Sequence, residues 1–246
     1  MYIDAHNHLD YYKDHVAEAI KRIEKEKILT LACAVDVDSY FETKRLASGS
    51  ELIVPCFGIH PSKAWLFEDK LDTLDYLIKE TPVIGEVGLD FHWVKVSDKF
   101  NAQRKVFDYF LEKAEDYGKV MNIHTKGAEE EVLERILAYD LVPPIIHWYS
   151  GPLDVFWDLL DYGCYFTISV DAGFREETDD LIDLLPMDRI LTETDGPDAM
   201  EWVMGAYGYP DAVKDVVANI ADIKGVSEEE MKEIIFNNFT KLFGEI

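Results

Sequence analysis

The chain opens with Met1-Tyr2-Ile3-Asp4-Ala5-His6-Asn7-His8, a short apolar run that ends in two histidines. A run of this kind bounded by polar residues predicts a β-strand. The stretch that follows, residues 12–26, has apolar residues at helical spacing and predicts an amphipathic helix. This pairing of one strand with one helix decides the fold, because it recurs along the whole chain.

The pattern predicts eight strands and nine helices. The predicted strands are Tyr2 to Ala5, Ile28 to Ala34, Ile53 to Phe57, Val83 to Glu86, Val120 to Ile123, Pro144 to Ile146, Cys164 to Ile168 and Arg189 to Thr192. The predicted helices cover residues 12–26, 40–48, 71–80, 101–117, 128–139, 153–161, 178–185, 211–223 and 228–236. Two helix starts, Ser39-Tyr-Phe-Glu42 and Ser227-Glu-Glu-Glu230, have the S-x-x-E pattern of a capping box.

Strands that alternate with helices predict a parallel sheet covered by helices. Eight such units in 246 residues predict an α/β protein with a closed (β/α)8 TIM barrel, a fold of about 250 residues. The sequence shows no Gly-, Ser- or Pro-rich linker, no low-complexity segment and no obvious repeat. We therefore expect a single domain over residues 1–246.

The charge of the chain limits its partners. The 49 acidic and 24 basic residues give a formal net charge of −25. Affinity for nucleic acid comes largely from lysine and arginine on phosphates, so binding of extended duplex DNA is not expected, although a local basic patch could hold one phosphate. We expect a small-molecule or single-stranded nucleic-acid substrate.

The sequence predicts a cytoplasmic protein that does not enter a membrane. No apolar run approaches the roughly 18 residues of a membrane span, and the N-terminus lacks the basic flank and apolar stretch of a signal peptide. Cys33, Cys56 and Cys164 are far apart and lie in apolar runs. That spacing is typical of buried thiols in a reducing compartment rather than of a disulfide framework.

Residues with metal-binding side chains stand where predicted strands end. Catalytic residues of a TIM barrel lie at the C-terminal ends of its strands, so these side chains are predicted to converge on one mouth. Five of the seven histidines and two carboxylates belong to this set: His6, His8, His60, Glu86, His124, His147 and Asp195.

Two of these motifs favour a metal on their own chemistry. His6 and His8 are two apart on a strand, so both imidazoles face one side and can reach one cation, at about 2.0–2.1 Å for zinc. Glu86, flanked by Gly85 in an apolar stretch, is costly to bury without a cation or a donor. Its two oxygens can bridge two metals about 3.5–4 Å apart.

Each of these positions also has a purely structural interpretation. An isolated H-x-H can be incidental, a buried Glu86 can form a salt bridge, and Asp195 before Gly-Pro can form an Asx turn or cap a helix. His124 and His147 can each be a satisfied core histidine. Asp4 beside the two N-terminal histidines and the further donors at later strand ends favour a metal site.

Six short motifs surround these residues in order along the chain: Asp4-x-His6-x-His8-Leu9, Gly58-Ile59-His60-Pro61, Gly85-Glu86-Val87-Gly88-Leu89-Asp90, Ile123-His124, His147-x-x-Ser150-Gly151 and Glu193-Thr194-Asp195-x-Pro197. Taken together, they resemble the successive motifs of TatD-family hydrolases, within the amidohydrolase superfamily. The C-terminal stretch from Gly225 to Phe243 is similar to that family's last helices, so the resemblance runs from residue 4 to residue 243.

The resemblance implies a (β/α)8 barrel that hydrolyses phosphodiester bonds, as a TatD-like deoxyribonuclease does, with one or two divalent cations such as zinc, magnesium or manganese. Asp195 would also accept a proton from the attacking water, Glu86 would bridge the metals, and His60 would face the substrate. Glu193 could orient the ligands. The implied ligands are His6, His8, Glu86, His124, His147 and Asp195.

The sequence departs from the family's pattern at three places. Lys126 stands where the family usually has arginine, and we predict that it binds substrate, since lysine neutralises a phosphate although it lacks the bidentate fork of arginine. Residues 198–210 have no basic residue, and contain Asp198 and Glu201, where the family's nucleases usually carry a basic stretch. Trp148-Tyr149 replaces a common Cys-Phe pair. The first two changes affect phosphate recognition and leave the ligand set intact.

Two other functions stay open. Hydrolysis of an amide, ester or lactone at the same centre is favoured by the net charge of −25 and by the missing basic stretch. A non-catalytic module could instead bind a partner through aromatic residues such as Trp93 and Trp202, although a purely structural metal site would need fewer ligands. For a phosphodiester substrate, Lys63, Lys126 and Arg175 would form a small cationic rim.

Overall fold

The structure is a computed structural model that describes residues 1–244. Within that range it contains eight β-strands and ten α-helices. The strands are β1 (Tyr2–Asn7), β2 (Ile28–Cys33), β3 (Ile53–Cys56), β4 (Ile84–Gly88), β5 (Met121–His124), β6 (Ile145–Ile146), β7 (Tyr165–Ile168) and β8 (Ile190–Thr192). The helices are α1 (Val16–Glu26), α2 (Val37–Ala47), α3 (Asp75–Glu80), α4 (Phe100–Tyr117), α5 (Glu129–Ile136), α6 (Leu153–Tyr162), α7 (Glu176–Leu184), α8 (Asp198–Met204), α9 (Val213–Lys224) and α10 (Glu228–Phe243).

The chain divides into two compact units. The first unit comprises Met1–Ala32, Thr43–Val54 and Phe166–Ile246, and the second comprises Cys33–Glu42 and Pro55–Tyr165. The single domain expected over residues 1–246 stays a prediction.

In the first unit, parallel strands are joined by backbone and side-chain hydrogen bonds. Strand β1 pairs with β2 in the register Tyr2 with Ile28, and β7 pairs with β8 in the register Phe166 with Ile190. The hydroxyl of Thr192 in β8 donates to the carbonyl of Ile3 in β1 at 2.6 Å. This bond, together with the one from the N–H of Asp195 to the carbonyl of His6, joins β1 to β8. His6, His8 and Asp195 lie at or directly after the C-terminal ends of these two strands.

In the second unit, β4 pairs with β5 and β5 pairs with β6, all parallel. Gly88 at the end of β4 is in register with His124 at the end of β5. Helix α4 covers this sheet and buries Phe110, whose ring lies 5.9 Å from that of Phe57. The ends of β4 and β5 are therefore brought together, as the parallel arrangement predicts.

Nearly all strand residues are buried, on whichever face of the strand they lie. Every residue of β4, β7 and β8 is buried, polar residues included. Strands buried on both faces are near-continuous apolar runs, so a polar residue inside them needs a partner or a function. Glu86 and Thr192 are such residues.

Of the two predicted capping boxes, one is confirmed. Ser227 caps α10, and its side chain accepts the N–H of Glu230 at 3.2 Å. Ser39 does not begin α2: Asp36 does, since its carboxylate accepts the N–H of Ser39 at 3.0 Å, while the Ser39 hydroxyl accepts the N–H of Val35. Aspartate caps as well as serine does, so the S-x-x-E pattern predicted the wrong residue.

Two further elements differ from the sequence prediction. The helix expected over residues 12–26 is a 3-10 segment, Leu9–His15, followed by α1, because Lys13 interrupts it with a φ of 49°. The sequence does not predict helix α8, because its seven residues are too few to show a helical period. Cys33, Cys56 and Cys164 are all buried, and none of them forms a disulfide within residues 1–244, as their spacing predicts; the reducing compartment stays a prediction. Across residues 1–244, no helix is long and apolar enough to cross a bilayer.

Candidate metal centre

A first cluster of metal-binding side chains lies in the first unit, where β1 and β8 end. Nε2 of His6 is 3.3 Å from Nε2 of His8, and Oδ1 of Asp195 lies 3.7 Å and 3.3 Å from these two nitrogens. The His6 side chain is completely buried, and those of His8 and Asp195 are about one-tenth exposed. Three donor atoms therefore surround one small volume.

The separations match those of ligands around one cation. In a tetrahedral zinc site with bonds of about 2.0–2.1 Å, ligand atoms lie about 3.3 Å apart, and the observed separations are 3.3–3.7 Å. Two imidazole nitrogens that face each other with their lone pairs repel unless a proton or a cation lies between them. The donor set of two imidazoles and one carboxylate is chemically suited to a divalent cation.

Backbone hydrogen bonds hold this cluster in place. The N–H of Asp195 donates to the carbonyl of His6 at 2.9 Å, and the N–H of His8 donates to the carbonyl of Gly196 at 3.0 Å. Asp195 has a φ of 44°, a left-handed conformation that is uncommon for a residue with a side chain. The turn after β8 thus aims the carboxylate at the two imidazoles rather than continuing the strand.

The carboxylate of Asp4 stabilises the turn after β8 through hydrogen bonds to Thr194. This buried carboxylate accepts the N–H of Thr194 at 2.8 Å, the hydroxyl of Thr194 at 2.7 Å and the amide of Asn7 at 3.2 Å. Burial raises the pKa of Asp4 to about 7, although these hydrogen bonds act in the opposite direction. Asp4 therefore connects the residue before Asp195 with the strand that carries His6.

Glu193 is a second buried carboxyl group behind the same cluster. It is fully buried, and burial raises its pKa to about 8, while the charge of His6 lowers it and that of Asp195 raises it. A carboxyl group at this depth is ionised readily only when a positive charge is close. Its place agrees with the predicted role of orienting the ligands, which stays a prediction.

A second cluster lies in the second unit around Glu86, which is 2% exposed. Oε1 of this residue lies 2.7 Å from Nδ1 of His124, 3.6 Å from Nε2 of His60 and 3.7 Å from Nε2 of His147. One carboxylate oxygen thus faces three imidazoles that come from the ends of three different strands. Convergence of this kind is what the positions in the sequence predicted for this half of the set.

The imidazole of His124 lies between two carboxylates. Its Nε2 is 3.4 Å from Oδ2 of Asp90, on the side opposite Glu86. Burial alone would lower the pKa of His124, but hydrogen bonds and charge from Asp90 and Glu86 outweigh it and raise the pKa to about 9. In the metal-free protein the ring is therefore protonated at neutral pH, and a metal ion that binds here has to displace a proton.

Gly88 permits the close approach of β4 and β5 at this point. A Cβ on this residue would lie 2.0 Å from the carbonyl oxygen of His124, and its φ is +146°. Both facts exclude a side chain without movement of the backbone. The glycine of the Gly85-Glu86-Val87-Gly88 motif therefore sets the position of His124 relative to Glu86.

The two predicted substrate-binding residues also belong to the second unit. Nδ1 of His60 accepts the N–H of Ser62 at 3.1 Å, and its Nε2 faces Glu86 at 3.6 Å. Lys126 is half-buried and donates from Nζ to the hydroxyl of Ser150. Both residues follow strand ends, and their contacts with substrate stay predictions.

Asp90 is the residue that sequence reasoning did not single out. It is 1% exposed, and with His60 and His124 it forms a group whose potential ligand atoms all lie within 4.8 Å of one another. The available signal was its position, directly after the Glu86 strand in Gly88-Leu89-Asp90. Its place in this group depends on His60 and His124, which are distant from it in sequence.

Comparisons with known proteins define the family. The family model described as TatD related DNase matches residues 3–244. The uncharacterized metal-dependent hydrolase MJ1582 of Methanocaldococcus jannaschii is 28% identical over 248 residues, which cover 98% of this chain and 96% of that protein. Human deoxyribonuclease TATDN3 is 25% identical over 264 residues, with 99% and 95% covered.

Solved structures show the same fold. YJJV, a TatD homologue from Escherichia coli K12, matches with a TM-score of 0.86 and 21% identity over 100% of this chain and 98% of that one. An uncharacterized amidohydrolase from Saccharomyces cerevisiae also has a TM-score of 0.86, with 14% identity over 98% and 99% of the two chains. These likenesses confirm the predicted α/β fold class with its (β/α)8 arrangement.

The fold, the donor clusters and these relatives together define a class, the metal-dependent hydrolases. Within that class, the chain belongs to the TatD family, because the family model matches nearly its whole length. The resemblance read from the motifs is thereby confirmed. The assignment of individual ligands and catalytic residues stays a prediction.

Proposed function

We propose that this chain hydrolyses phosphodiester bonds in a small molecule or in single-stranded nucleic acid, with one or two divalent cations as its cofactor. The observation that carries the proposal is the convergence of three imidazoles on the buried carboxylate of Glu86. A buried carboxylate surrounded by three imidazoles is suited to hold a metal ion, and its burial would be costly without a cation or donors. The name deoxyribonuclease of the relative TATDN3 supports a phosphodiester as the bond that is cleaved.

The chain offers zinc, magnesium or manganese two donor sets. In the first unit His6, His8 and Asp195 would hold a cation, and in the second unit Glu86 would do so with His124 and His147. A bound divalent cation lowers the pKa of water and polarises the scissile bond.

Asp195 and Glu86 are the proposed catalytic carboxylates. Asp195 would accept the proton of the attacking water, and its left-handed backbone keeps the carboxylate aimed at the His6 and His8 imidazoles. Glu86 would hold metal with one or both oxygens, and burial keeps it in one orientation.

His60 and Lys126 are the proposed substrate-binding residues. His60 would donate from Nε2 in a fixed direction, because the N–H of Ser62 holds the other ring nitrogen. The ammonium group of Lys126 would neutralise a non-bridging phosphate oxygen, with Ser150 holding it in place. Together they would orient the phosphodiester in the second unit.

Hydrolysis of an amide, ester or lactone is the second candidate. Helix α8 follows Asp195 and carries Asp198 and Glu201 in its first turn, where a nuclease would be expected to carry cations. The fold similarity to a yeast protein named as an amidohydrolase is compatible with that chemistry.

One experiment separates the two candidates. The purified protein is stripped of metal, reloaded with zinc, magnesium or manganese, and assayed on bis-p-nitrophenyl phosphate, single-stranded DNA, p-nitrophenyl acetate and a γ-lactone. We expect metal-dependent cleavage of the phosphodiesters, a loss of at least about 100-fold in His8→Ala, and no loss in His15→Ala, an exposed histidine outside both clusters. Cleavage of the lactone or acetate with uncut phosphodiesters would support the second candidate instead, and equal rates in His8→Ala would contradict both.

A further inference from the structure

The turn after β4 carries an exposed indole on a rigid backbone. Trp93 is 67% exposed. Its own N–H and that of His92 donate to Oδ1 of Asp90 at 2.7 Å and 2.9 Å. A large apolar side chain in water contributes little to stability, and here the main chain that carries it is fixed. The turn therefore presents the ring of Trp93 to solvent in a defined place.

The same turn is joined to the loop that carries Lys126. The N–H of Phe91 donates to the carbonyl of Lys126 at 3.0 Å. His92 lies against Gly127, where a Cβ would come within 3.1 Å of the His92 Cβ, and its ring meets the Trp93 ring edge to face at 4.7 Å between centroids. Trp93 and Lys126 consequently belong to one hydrogen-bonded framework.

Asp90 connects this framework to the candidate metal ligands of the second unit. One of its oxygens holds the turn, and the other lies 3.4 Å from Nε2 of His124. The residue is itself fixed by Gln103, which accepts its N–H at 2.9 Å and donates to its carbonyl at 3.0 Å. The carboxylate of Asp90 thus contacts both the backbone of Trp93 and the imidazole of His124.

The charge around Trp93 tolerates a phosphate, unlike most of this acidic chain. Lys95 is exposed two residues further on, and the ammonium of Lys99 lies 4.2 Å above the ring of Trp65, so that ring already has a cationic partner. Residues 90–99 carry two acids, Asp90 and Asp98, and two lysines, Lys95 and Lys99, so their formal charges cancel. The loop of Lys126 leads to Glu129, which accepts the N–H of Gly127, and to the exposed Glu130. The segment that carries Trp93 is therefore close to neutral, unlike the chain as a whole.

Trp202 provides the internal comparison. This indole is 65% exposed, nearly as much as that of Trp93. It lies in the first unit on α8, next to Glu201 and one turn from Asp198, and no lysine or arginine occurs between residues 190 and 213. A polyanion would be repelled there.

From this arrangement we propose that Trp93 is a stacking platform for an unpaired nucleobase whose adjoining phosphodiester is bound by Lys126. The inference rests on the proposed phosphodiesterase function and narrows its substrate to a single-stranded nucleic acid. Aromatic side chains bind successive bases by stacking, and they do so without sequence preference because every base has a π-face. The site would therefore bind any of the four bases. A paired base would not bind, because its faces are already stacked on its neighbours in the duplex.

The test compares a short 5′-fluorescein oligodeoxynucleotide with an abasic strand of the same length, which has the same phosphates and no bases. Anisotropy titrations with EDTA-treated protein give Kd without cleavage, and assays with metal-loaded protein give kcat/KM. For Trp93→Ala we expect Kd for the base-containing strand to rise about 10-fold or more, the abasic strand to bind as before, and Trp93→Phe to retain most of the affinity. Trp202→Ala should change neither.

Three outcomes would overturn the platform. Trp93→Ala could weaken both strands equally, which would make Trp93 a residue that only shapes the turn. Trp202→Ala could weaken base-containing DNA as much as Trp93→Ala does. Trp93→Phe could bind as poorly as Trp93→Ala although both melt at the wild-type temperature. Failure of the proposed function looks different: the wild-type protein would cleave no phosphodiester, whatever Trp93→Ala does to binding of the base-containing strand.

Discussion

Oδ2 of Asp90 lies 3.4 Å from Nε2 of His124, and the two side chains come from the ends of neighbouring strands. Hydrogen bonds and charge from Asp90, together with those from Glu86, keep the buried imidazole protonated. Burial opposes this charge, so the cationic ring exists only because carboxylates surround it. The metal-free cluster therefore holds a proton in the place of a cation.

Asp90→Asn should lower the pKa of His124. In the wild-type metal-free protein this pKa is about 9, well above the ordinary value of 6.5. An amide keeps an oxygen that can accept the N–H groups of His92 and Trp93 but removes the negative charge. We expect the titration midpoint of His124 to fall by at least one pH unit. The ring proton signals of His124, recorded by NMR at a series of pH values with EDTA present, measure this midpoint.

The matched control for that experiment is Asp98→Asn, which removes a carboxylate from the same segment at an exposed position. Zinc affinity measured against pH adds a second readout, because the metal displaces the proton of His124. Affinity should rise with pH up to about 9 in the wild type and level off earlier in Asp90→Asn. An unchanged His124 titration in Asp90→Asn would show that Asp90 does not set this charge.

The metal-free protein should lose stability as pH rises from about 4 to about 8. Burial raises the pKa of Asp4 from 3.8 to about 7 and that of Glu193 from 4.5 to about 8. In this range the folded state keeps protons that the unfolded state has released, so stability falls with increasing pH. His124 extends the fall towards pH 9 in the same direction.

Thermal unfolding between pH 5 and pH 8.5 measures this dependence, with EDTA and with bound zinc. A bound cation favours the ionised carboxylates, so the metal-loaded protein should show a flatter profile. Asp4→Asn should flatten the profile of the metal-free protein, and Asp14→Asn, at an exposed aspartate, should leave it unchanged. A metal-free protein whose melting temperature increases steadily over this range would contradict the predicted direction.

The fold and much of the site could be predicted because both depend on local patterns. Apolar runs predicted every strand to within a few residues. His6 and His8 lie two residues apart at the end of one strand, and the parallel pairing of β4 with β5 brings Glu86 close to His124. Asp90 could not be found in this way, because it is identified by its ion pair with His124, which lies 34 positions away in sequence. Helix α8 is not evident from the sequence because it has only seven residues, Asp198–Met204, too few to show a helical period, and Gly205 ends it.

The replacement Gly88→Ala should damage both stability and metal binding. Its Cβ would lie 2.0 Å from the carbonyl oxygen of His124 at a φ of +146°, so either β4 or β5 has to move. Backbone strain and overpacking together predict a loss of about 2–5 kcal/mol in the free energy of unfolding. Urea denaturation and zinc titration measure the two effects.

Gly49→Ala is the control for that replacement, since a Cβ at Gly49 would meet nothing within 4 Å and its φ is not positive. Its stability should stay within about 0.5 kcal/mol of the wild type. If Gly88→Ala were as stable as Gly49→Ala and bound zinc equally well, the close approach of β4 to His124 would have no part in forming the cluster.

Lys126 distinguishes between the two candidate reactions. Its ammonium group can neutralise a phosphate, whereas a neutral ester or lactone has no charge for it to neutralise. Lys126→Gln should therefore raise KM for bis-p-nitrophenyl phosphate by about 10-fold or more. The KM for a lactone should stay unchanged. Lys126→Arg should keep or lower the phosphodiester KM, because a guanidinium can bind two phosphate oxygens at once. Lys105→Gln, which removes a lysine paired with Asp69 on the outer surface of α4, controls for the loss of one positive charge. Equal KM values for Lys126→Gln and the wild type on every phosphodiester would remove Lys126 from the substrate site, and a selective rise in the lactone KM would favour the second candidate function.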